Sequence, residues 1–333
     1  MALTDLLVIV GPTASGKSRL AVQLARRYGG EVVSCDSMQV YRGMNIGTAK
    51  PTPEDMEGVP HHMIDVVGPS ESFSVADFAA LAREAVADIA RRGRLPVLAG
   101  GTGLYVSALT DNTDFSRVKG DPRLREALRA LAQREGGERL LAMLAPLDAQ
   151  TAARLHPNDT GRIIRAIELC STTGTTMAQI AADSHAQPPQ YRLCMIGLGC
   201  EPRGKLYARI DARVDRMLAQ GLREEVRALL ESGVRPDATS MQAIGYKELV
   251  GCLEGRETLG EAAETIKRET RRYAKRQLTW FRRDARIHWI DIFSLSDDKI
   301  YQNACETIEK YGFVCYNTSE PPEKPGSAAQ WNE

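Results

Sequence analysis

Residues 11 to 18 read Gly-Pro-Thr-Ala-Ser-Gly-Lys-Ser, the G-x-x-x-x-G-K-[ST] spacing that shapes a cradle for a di- or triphosphate. Gly11 and Gly16 let the backbone of Pro12, Thr13, Ala14 and Ser15 turn so that successive N–H groups face inward. Lys17 supplies a point charge and Ser18 a hydroxyl ligand for Mg²⁺. Two more residues stand where chemistry on a bound phosphate would need them. Asp36 follows the apolar segment Glu31-Val32-Val33-Ser34-Cys35, and Thr102 lies in Gly100-Gly101-Thr102-Gly103 after Leu95 to Ala99. A carboxylate beside a phosphate can take a proton from an incoming nucleophile or hold Mg²⁺ through water.

The surrounding pattern must bring these residues together. Leu6 to Val10 forms an apolar strand directly ahead of the cradle, and an amphipathic helix starts near Lys17 and stops at Gly29-Gly30. Segment 31–35 reads as a second buried strand. Ser74-Val75-Ala76-Asp77 is a capping box, and Phe78, Leu81, Ala82, Ala85 and Ile89 then repeat at helical spacing up to Gly93. Leu95 to Ala99 is the next strand. Alternation of this kind predicts right-handed crossovers and a parallel sheet, with ligands at the carboxyl edge of the strands.

From about Thr110 the pattern changes. Asp121-Pro122 opens a run of helical segments, divided at Gly136-Gly137, His156 to Asp159 and Gly174, with no strand until Tyr191. This predicts a helical insertion. The loop Gln187 to Gln190 returns the chain to a strand over Arg192 to Gly199 and a long helix from Lys205 to Ser232. The expected organisation is a first core part (1–115), the insertion (116–190), a second core part (191–312) and a tail (313–333) whose Pro-rich polar end reads as disordered.

Composition excludes some classes of function. The 333 residues carry 43 Lys plus Arg against 43 Asp plus Glu, so any basic patch is local. The seven cysteines are scattered and without C-x-x-C pairs, which argues for reduced thiols and against a disulfide framework or zinc site. His61-His62 are adjacent and so diverge on a strand, a poor metal pair. No leader precedes the first strand and no apolar run reaches the ~18 residues of a membrane span, so a cytoplasmic enzyme is expected. The local basic patch is Lys267 to Arg286, with nine basic residues against Glu269 and Asp284, interleaved with Tyr273, Trp280 and Phe281. Cations and aromatics on one helix suit a nucleic-acid backbone.

One combination is far more specific than its parts. DSMQVYRGMNIGTAKP from Asp36 to Pro51 stands with the cradle, GGTGLY from Gly100, HPND from His156 followed by Arg162 and Arg165, IGYKEL from Ile244, and RRYAKRQLTWFR from Arg271. Together, from about Leu6 to Ile292, they closely resemble the bacterial tRNA dimethylallyltransferases, also called isopentenyl-tRNA transferases. The resemblance implies an α/β fold: a P-loop NTPase-like parallel sheet core with an inserted helical domain. It implies transfer of a dimethylallyl group from its pyrophosphate to the exocyclic amine of the adenosine 3′ of the anticodon, with the P-loop holding a leaving pyrophosphate instead of a nucleotide such as ATP.

By the same resemblance, Asp36 is the general base, Thr102 binds near the reacting centre, Lys17 and Arg213 hold pyrophosphate, and Ser18 with Mg²⁺ completes that end. The base strip is Asp36, Ser37, Met38 and Gln39. The tRNA surface comprises Arg125, the segment Gly161, Arg162, Ile163, Ile164 and Arg165, the segment Gln242, Ala243, Ile244, Gly245 and Tyr246, and the basic helix with Lys275, Arg276 and Arg282. The implied partners are the anticodon stem-loop of tRNA and dimethylallyl pyrophosphate, with no membrane, and a large asymmetric tRNA suits a monomer. Ser18 replaces the more usual Thr and Cys35 stands where a small apolar residue is common; neither removes a needed group. Rival readings explain less. A small-molecule kinase leaves the Asp36 strip and the aromatic-basic helix without a use, an enzyme prenylating free AMP or ADP leaves the insertion without one, and a non-catalytic RNA-binding module leaves the Lys17-Ser18 pair without one.

Overall fold

The computed structural model describes residues 3–113, 121–184 and 188–313. In chain order its elements are β1 (Thr4–Val10), α1 (Lys17–Tyr28), β2 (Gly30–Ser34), α2 (Pro53–Met56), β3 (His61–His62), α3 (Val75–Arg91), β4 (Leu95–Gly100) and α4 (Gly103–Thr110). These are followed by α5 (Pro122–Leu144), α6 (Ala149–Arg154), α7 (Thr160–Thr173), α8 (Met177–Ser184), β5 (Tyr191–Gly199), α9 (Arg203–Ala219) and α10 (Leu222–Glu231). The last are α11 (Tyr246–Leu253), α12 (Leu259–Phe281), β6 (Ile287–Asp291) and α13 (Asp297–Lys310). None of these helices is long and apolar enough to cross a membrane.

The chain forms two compact units, one from Met1–Thr110 with Gln190–Glu333 and the other from Asp111–Pro189. The first holds a six-stranded sheet in the order β3-β2-β4-β1-β5-β6, parallel throughout. Leu6 to Val10 are fully buried because β1 lies at the centre with helices on both faces. One face packs on α1, α9, α12 and α13 through residues such as Leu20, Leu24, Ile210, Leu278 and Ile308; the other packs on α3 and α4 through Phe78, Ile89, Tyr105 and Leu109. From β1 the chain moves outward to β2 and β3, returns as β4, and continues on the other side as β5 and β6. The reversal between β1 and β4 is the place where open α/β sheets take ligands.

Local signals explain most boundaries. Gly29 at φ 64° ends α1, and the Ser74–Asp77 capping box opens α3. The helix expected from Lys205 to Ser232 is two helices, because Gln220 ends α9 and Gly221, at φ 99°, turns the chain into α10. Strand β6 and helix α13 lie beyond the elements read from the sequence; β6 is an edge strand with His288 and Trp289 exposed, so its apolar signal is thin.

The second unit is helical. Asp121 caps α5, whose helical geometry is broken by a kink at Gly136 (φ 79°, ψ 174°), at the division expected from Gly136-Gly137. Leu128, Leu140, Leu144, Ile163 and Ile167 form its core. Fully buried Glu168 receives Arg125 at 2.8 Å and Arg165 at 2.7 Å. Burial raises the Glu168 pKa, but the two guanidinium groups outweigh it and the net shift is downward. The tail beyond 313 lies outside the described residues.

Candidate active site

Strand register places the chemistry. Val10 pairs with Gly100 and Ser34 with Ala99, so β1, β2 and β4 end level. Cys35 N then donates to Ala99 O (2.7 Å), and Thr102 N to Cys35 O (3.3 Å). Asp36 and Thr102 therefore begin adjacent loops. Thr102 Oγ1 accepts from Ser37 N at 3.1 Å, and Asp36 Oδ1 from Met38 N at 2.9 Å. The other Asp36 carboxylate oxygen has no protein hydrogen bond among the described residues.

In the cradle, Ala14 (φ 61°) and Gly16 (φ 84°) adopt the left-handed conformation that turns consecutive N–H groups to one side. Helix α1 starts at Lys17 and adds its positive end. Lys17 Nζ donates back to Pro12 O at 3.4 Å. Arg213, on α9, reaches Thr13 Oγ1 at 3.4 Å and borders the cleft, whereas neighbouring Arg209 lies over the Phe293 ring. The geometry thus favours Arg213 as the arginine facing a phosphate. Thr13, Ala14, Gly16, Lys17 and Ser18 line the cleft. Gly11, Pro12 and Ser15 are buried below it and contribute backbone shape.

The phosphate cleft opens into a cavity of about 330 Å³, with Asp36, Arg213 and Tyr273 bordering both. Met38, Val214, Met217, Leu222, Ile244 and Ile266 give that cavity apolar walls. A polar phosphate end and an apolar chamber therefore meet beside one carboxylate. Among the described residues no cluster of three or more His, Cys, Asp or Glu could hold a metal by itself. A Mg²⁺ ion fits here in another way, with the exposed Ser18 hydroxyl beside Lys17 and phosphate and water oxygens as the remaining ligands.

Three site residues were not legible as such. Gln277, buried on α12, accepts from Thr13 N at 2.9 Å and donates to Gly101 O at 2.9 Å, tying the cradle to the end of β4. A Cβ on Gly101 would stand 2.1 Å from Gln277 Nε2, which explains the glycine. Tyr273, one turn earlier, has its phenol against Thr102 and Gln277, and burial with the nearby Asp36 charge pushes its pKa up to about 12. Glu225, on α10, accepts from the N–H groups of Asn45, Ile46 and Gly47 and from Tyr246 Oη (2.5 Å), and so sets the loop that carries Thr48 into the site. A glutamine in a basic helix was the one available hint.

Other expected contact residues divide by burial. Gln242 is exposed and, with Ala243, Ile244 and Gly245, borders the apolar cavity; Tyr246 is fully buried against Gly47 and cannot face a ligand. Gly161, Arg162 and Arg165 are exposed on α7, while Ile163 and Ile164 belong to the core of the helical unit, because helical periodicity splits the strip between two faces. Arg125 is half-buried on Glu168. Gln39 borders the phosphate cleft, but its amide donates to Thr48 O and Ala49 O and accepts from Ser34 Oγ. It braces the loop instead of reaching for a base. Lys275 and Arg276 on α12, and Arg283 just past its end, form no ion pair among the described residues, whereas Arg282, which caps the helix, pairs with Glu201 at 2.6 Å. Trp280 is 43% exposed and Phe281 buried.

A parallel sheet with a phosphate loop at its central strand, a carboxylate at the next strand end and an apolar chamber beside both defines a P-loop enzyme that handles a phosphorylated, partly apolar substrate. The IPP transferase family model matches residues 39–284, and the chain belongs to that family. It is 50% identical over 294 residues to the tRNA dimethylallyltransferase of Halalkalibacterium halodurans, covering 88% of this chain and 93% of that one. It is 47% identical over 286 residues to the tRNA dimethylallyltransferase of Bacillus subtilis, covering 86% and 90%. The crystal structure of the full-length tRNA isopentenylpyrophosphate transferase from Bacillus halodurans is similar (TM-score 0.69, 47% identity, 92% of this chain and 98% of that one). So is a eukaryotic dimethylallyltransferase acting on tRNA (TM-score 0.78, 28% identity, 95% and 81%).

Proposed function

We propose that this chain transfers a dimethylallyl group from dimethylallyl pyrophosphate to the exocyclic amine of the adenosine 3′ of the anticodon in tRNA, releasing pyrophosphate. The observation that carries this reading is the junction of the phosphate cleft with an apolar cavity at Asp36. As the carbon–oxygen bond breaks, negative charge grows on the pyrophosphate, where the loop N–H groups, Lys17 and Arg213 stabilise it in place. Mg²⁺, held through Ser18, would add further charge stabilisation to the same oxygens when bound. Asp36 orients the adenine amine and takes its proton as the nitrogen attacks.

An amine inside a stacked anticodon loop cannot enter such a cleft, so the base must flip out. Met38 and the segment Gln242 to Gly245 would receive it, and Lys275 and Arg276 would hold phosphates near it. In the helical unit, Arg162 and Arg165 are exposed and would meet the same tRNA, whereas Arg125 is half-buried on Glu168. Incubation with labelled dimethylallyl pyrophosphate and unmodified tRNA, followed by nucleoside analysis, tests the proposal. Labelled isopentenyladenosine supports it, and label that stays with the donor while ATP is consumed contradicts it.

A further inference from the structure

In the proposed transfer, the donor's C1–O bond breaks with its electron pair leaving on pyrophosphate, a bond forms from the adenine amine nitrogen to C1, and the amine proton passes to Asp36. The carbon acquires allylic cation character on the way. The cradle answers the anion, and Asp36 is committed to the proton. Tyr273 borders the junction of the two compartments, beside Asp36. Five residues border both the phosphate cleft and the apolar cavity: Thr13, Asp36, Thr48, Arg213 and Tyr273. Tyr273 is the aromatic one.

Tyr273 lies one turn before Gln277 on α12, and Gln277 is itself fixed between Thr13 N and Gly101 O. The Tyr273 ring already attracts a cation, since the Arg276 guanidinium carbon lies 5.7 Å from the ring centroid. Attraction between an aromatic face and a positive charge strengthens as water is excluded, and a bound prenyl group and base would exclude it.

We propose that Tyr273 is a further catalytic residue, whose π face stabilises the allylic cation that develops between the leaving pyrophosphate and the attacking adenine amine. The assignment rests on the prenyl-transfer reading above. It gives the ring, and not the hydroxyl, the role.

The test takes Tyr273→Phe as reference and compares it with variants carrying mono-, di- and trifluorinated phenylalanine at position 273, measured under single-turnover conditions with saturating donor and tRNA. Fluorine withdraws electron density from the ring face with little change in shape. The logarithm of the transfer rate should fall in step with each fluorine, by roughly 10- to 30-fold across the series. Donor affinity and circular dichroism should match the reference. Tyr273→Leu, which keeps bulk but no π face, should fall at least as far as the trifluorinated variant. A flat fluorine series in an enzyme whose parent transfers dimethylallyl groups overturns this assignment alone. A parent that makes no isopentenyladenosine overturns the prenyl-transfer reading and the assignment with it.

Discussion

Replacing Gln277 tests whether the cradle is positioned from α12. The side chain makes two 2.9 Å hydrogen bonds, one from Thr13 N and one to Gly101 O, and the second is buried. In Gln277→Leu both are lost at nearly constant bulk. Each bond contributes about 0.5 to 1.5 kcal/mol net, and leaving a buried carbonyl such as that of Gly101 unpaired costs about 1 to 3 kcal/mol. Thr13 N can recover water or a phosphate oxygen, so the expected loss of stability is about 2 to 4 kcal/mol, visible in urea unfolding. Function should change in a particular direction. With the loop no longer tied to β4, donor affinity should fall roughly 10-fold, about 1.4 kcal/mol, while tRNA affinity holds. Gln277→Glu keeps the acceptor for Thr13 N but sets a carboxylate oxygen against the Gly101 carbonyl and a negative charge near the pyrophosphate. Its donor affinity should drop further, by about 10²-fold or about 2.7 kcal/mol. Calorimetric titration of both folded variants with pyrophosphate reads this out. Affinities equal to the parent's would refute the positioning role.

Lys17→Ala should abolish turnover and leave tRNA binding intact in a gel-shift titration; equal loss of both would make the cradle a folding element. Substituting Lys275 and Arg276 together by Ala should weaken cognate and non-cognate tRNA alike and flatten the slope of log affinity against log salt by roughly 0.7 to 0.9 per contact. Arg282→Ala should do less, because that arginine is engaged with Glu201. Glu31, buried at the other end of β2, is held down to about 2 by its hydrogen bonds from Arg92, which overcome burial with help from His62. A folded pKa below the unfolded value means stability present above about pH 4.5 and lost as the pH falls toward 2. Glu31→Gln should flatten that limb of the acid-unfolding curve; an unchanged acid limb would show that the pair contributes nothing.

The core of the fold was readable because its signals are local. The cradle spacing, the Ser74–Asp77 box, the stop at Gly29 and the apolar strands each act within a few residues. The helical character of 121–184 was legible for the same reason, through Asp121-Pro122 and Gly174. Asp36 and Thr102 were expected at neighbouring strand ends, and the ladder from Ala99 through Cys35 to Thr102 puts them on adjacent loops there. The supporting shell was hidden because its partners are far apart in sequence. Gln277 reaches a residue 264 positions away, and Glu225 holds a loop about 180 positions away. No periodicity reports such a pairing. Basic residues were over-read for the opposite reason: a count of charges on Lys267 to Arg286 does not show that Arg271 lies on Asp211, Lys267 on Asp215 and Arg282 on Glu201.

The central claim is that the cradle and Asp36 act in one turnover, the first on the leaving group and the second on the attacking amine. A single-turnover reaction with dimethylallyl pyrophosphate labelled in both the prenyl and phosphate portions, mixed with unmodified tRNA, measures both products at once. The parent should release one pyrophosphate for each isopentenyladenosine formed, and Asp36→Ala should slow both together by ~10²-fold or more. Pyrophosphate released without modified nucleoside, or an Asp36→Ala rate close to the parent's, would contradict it.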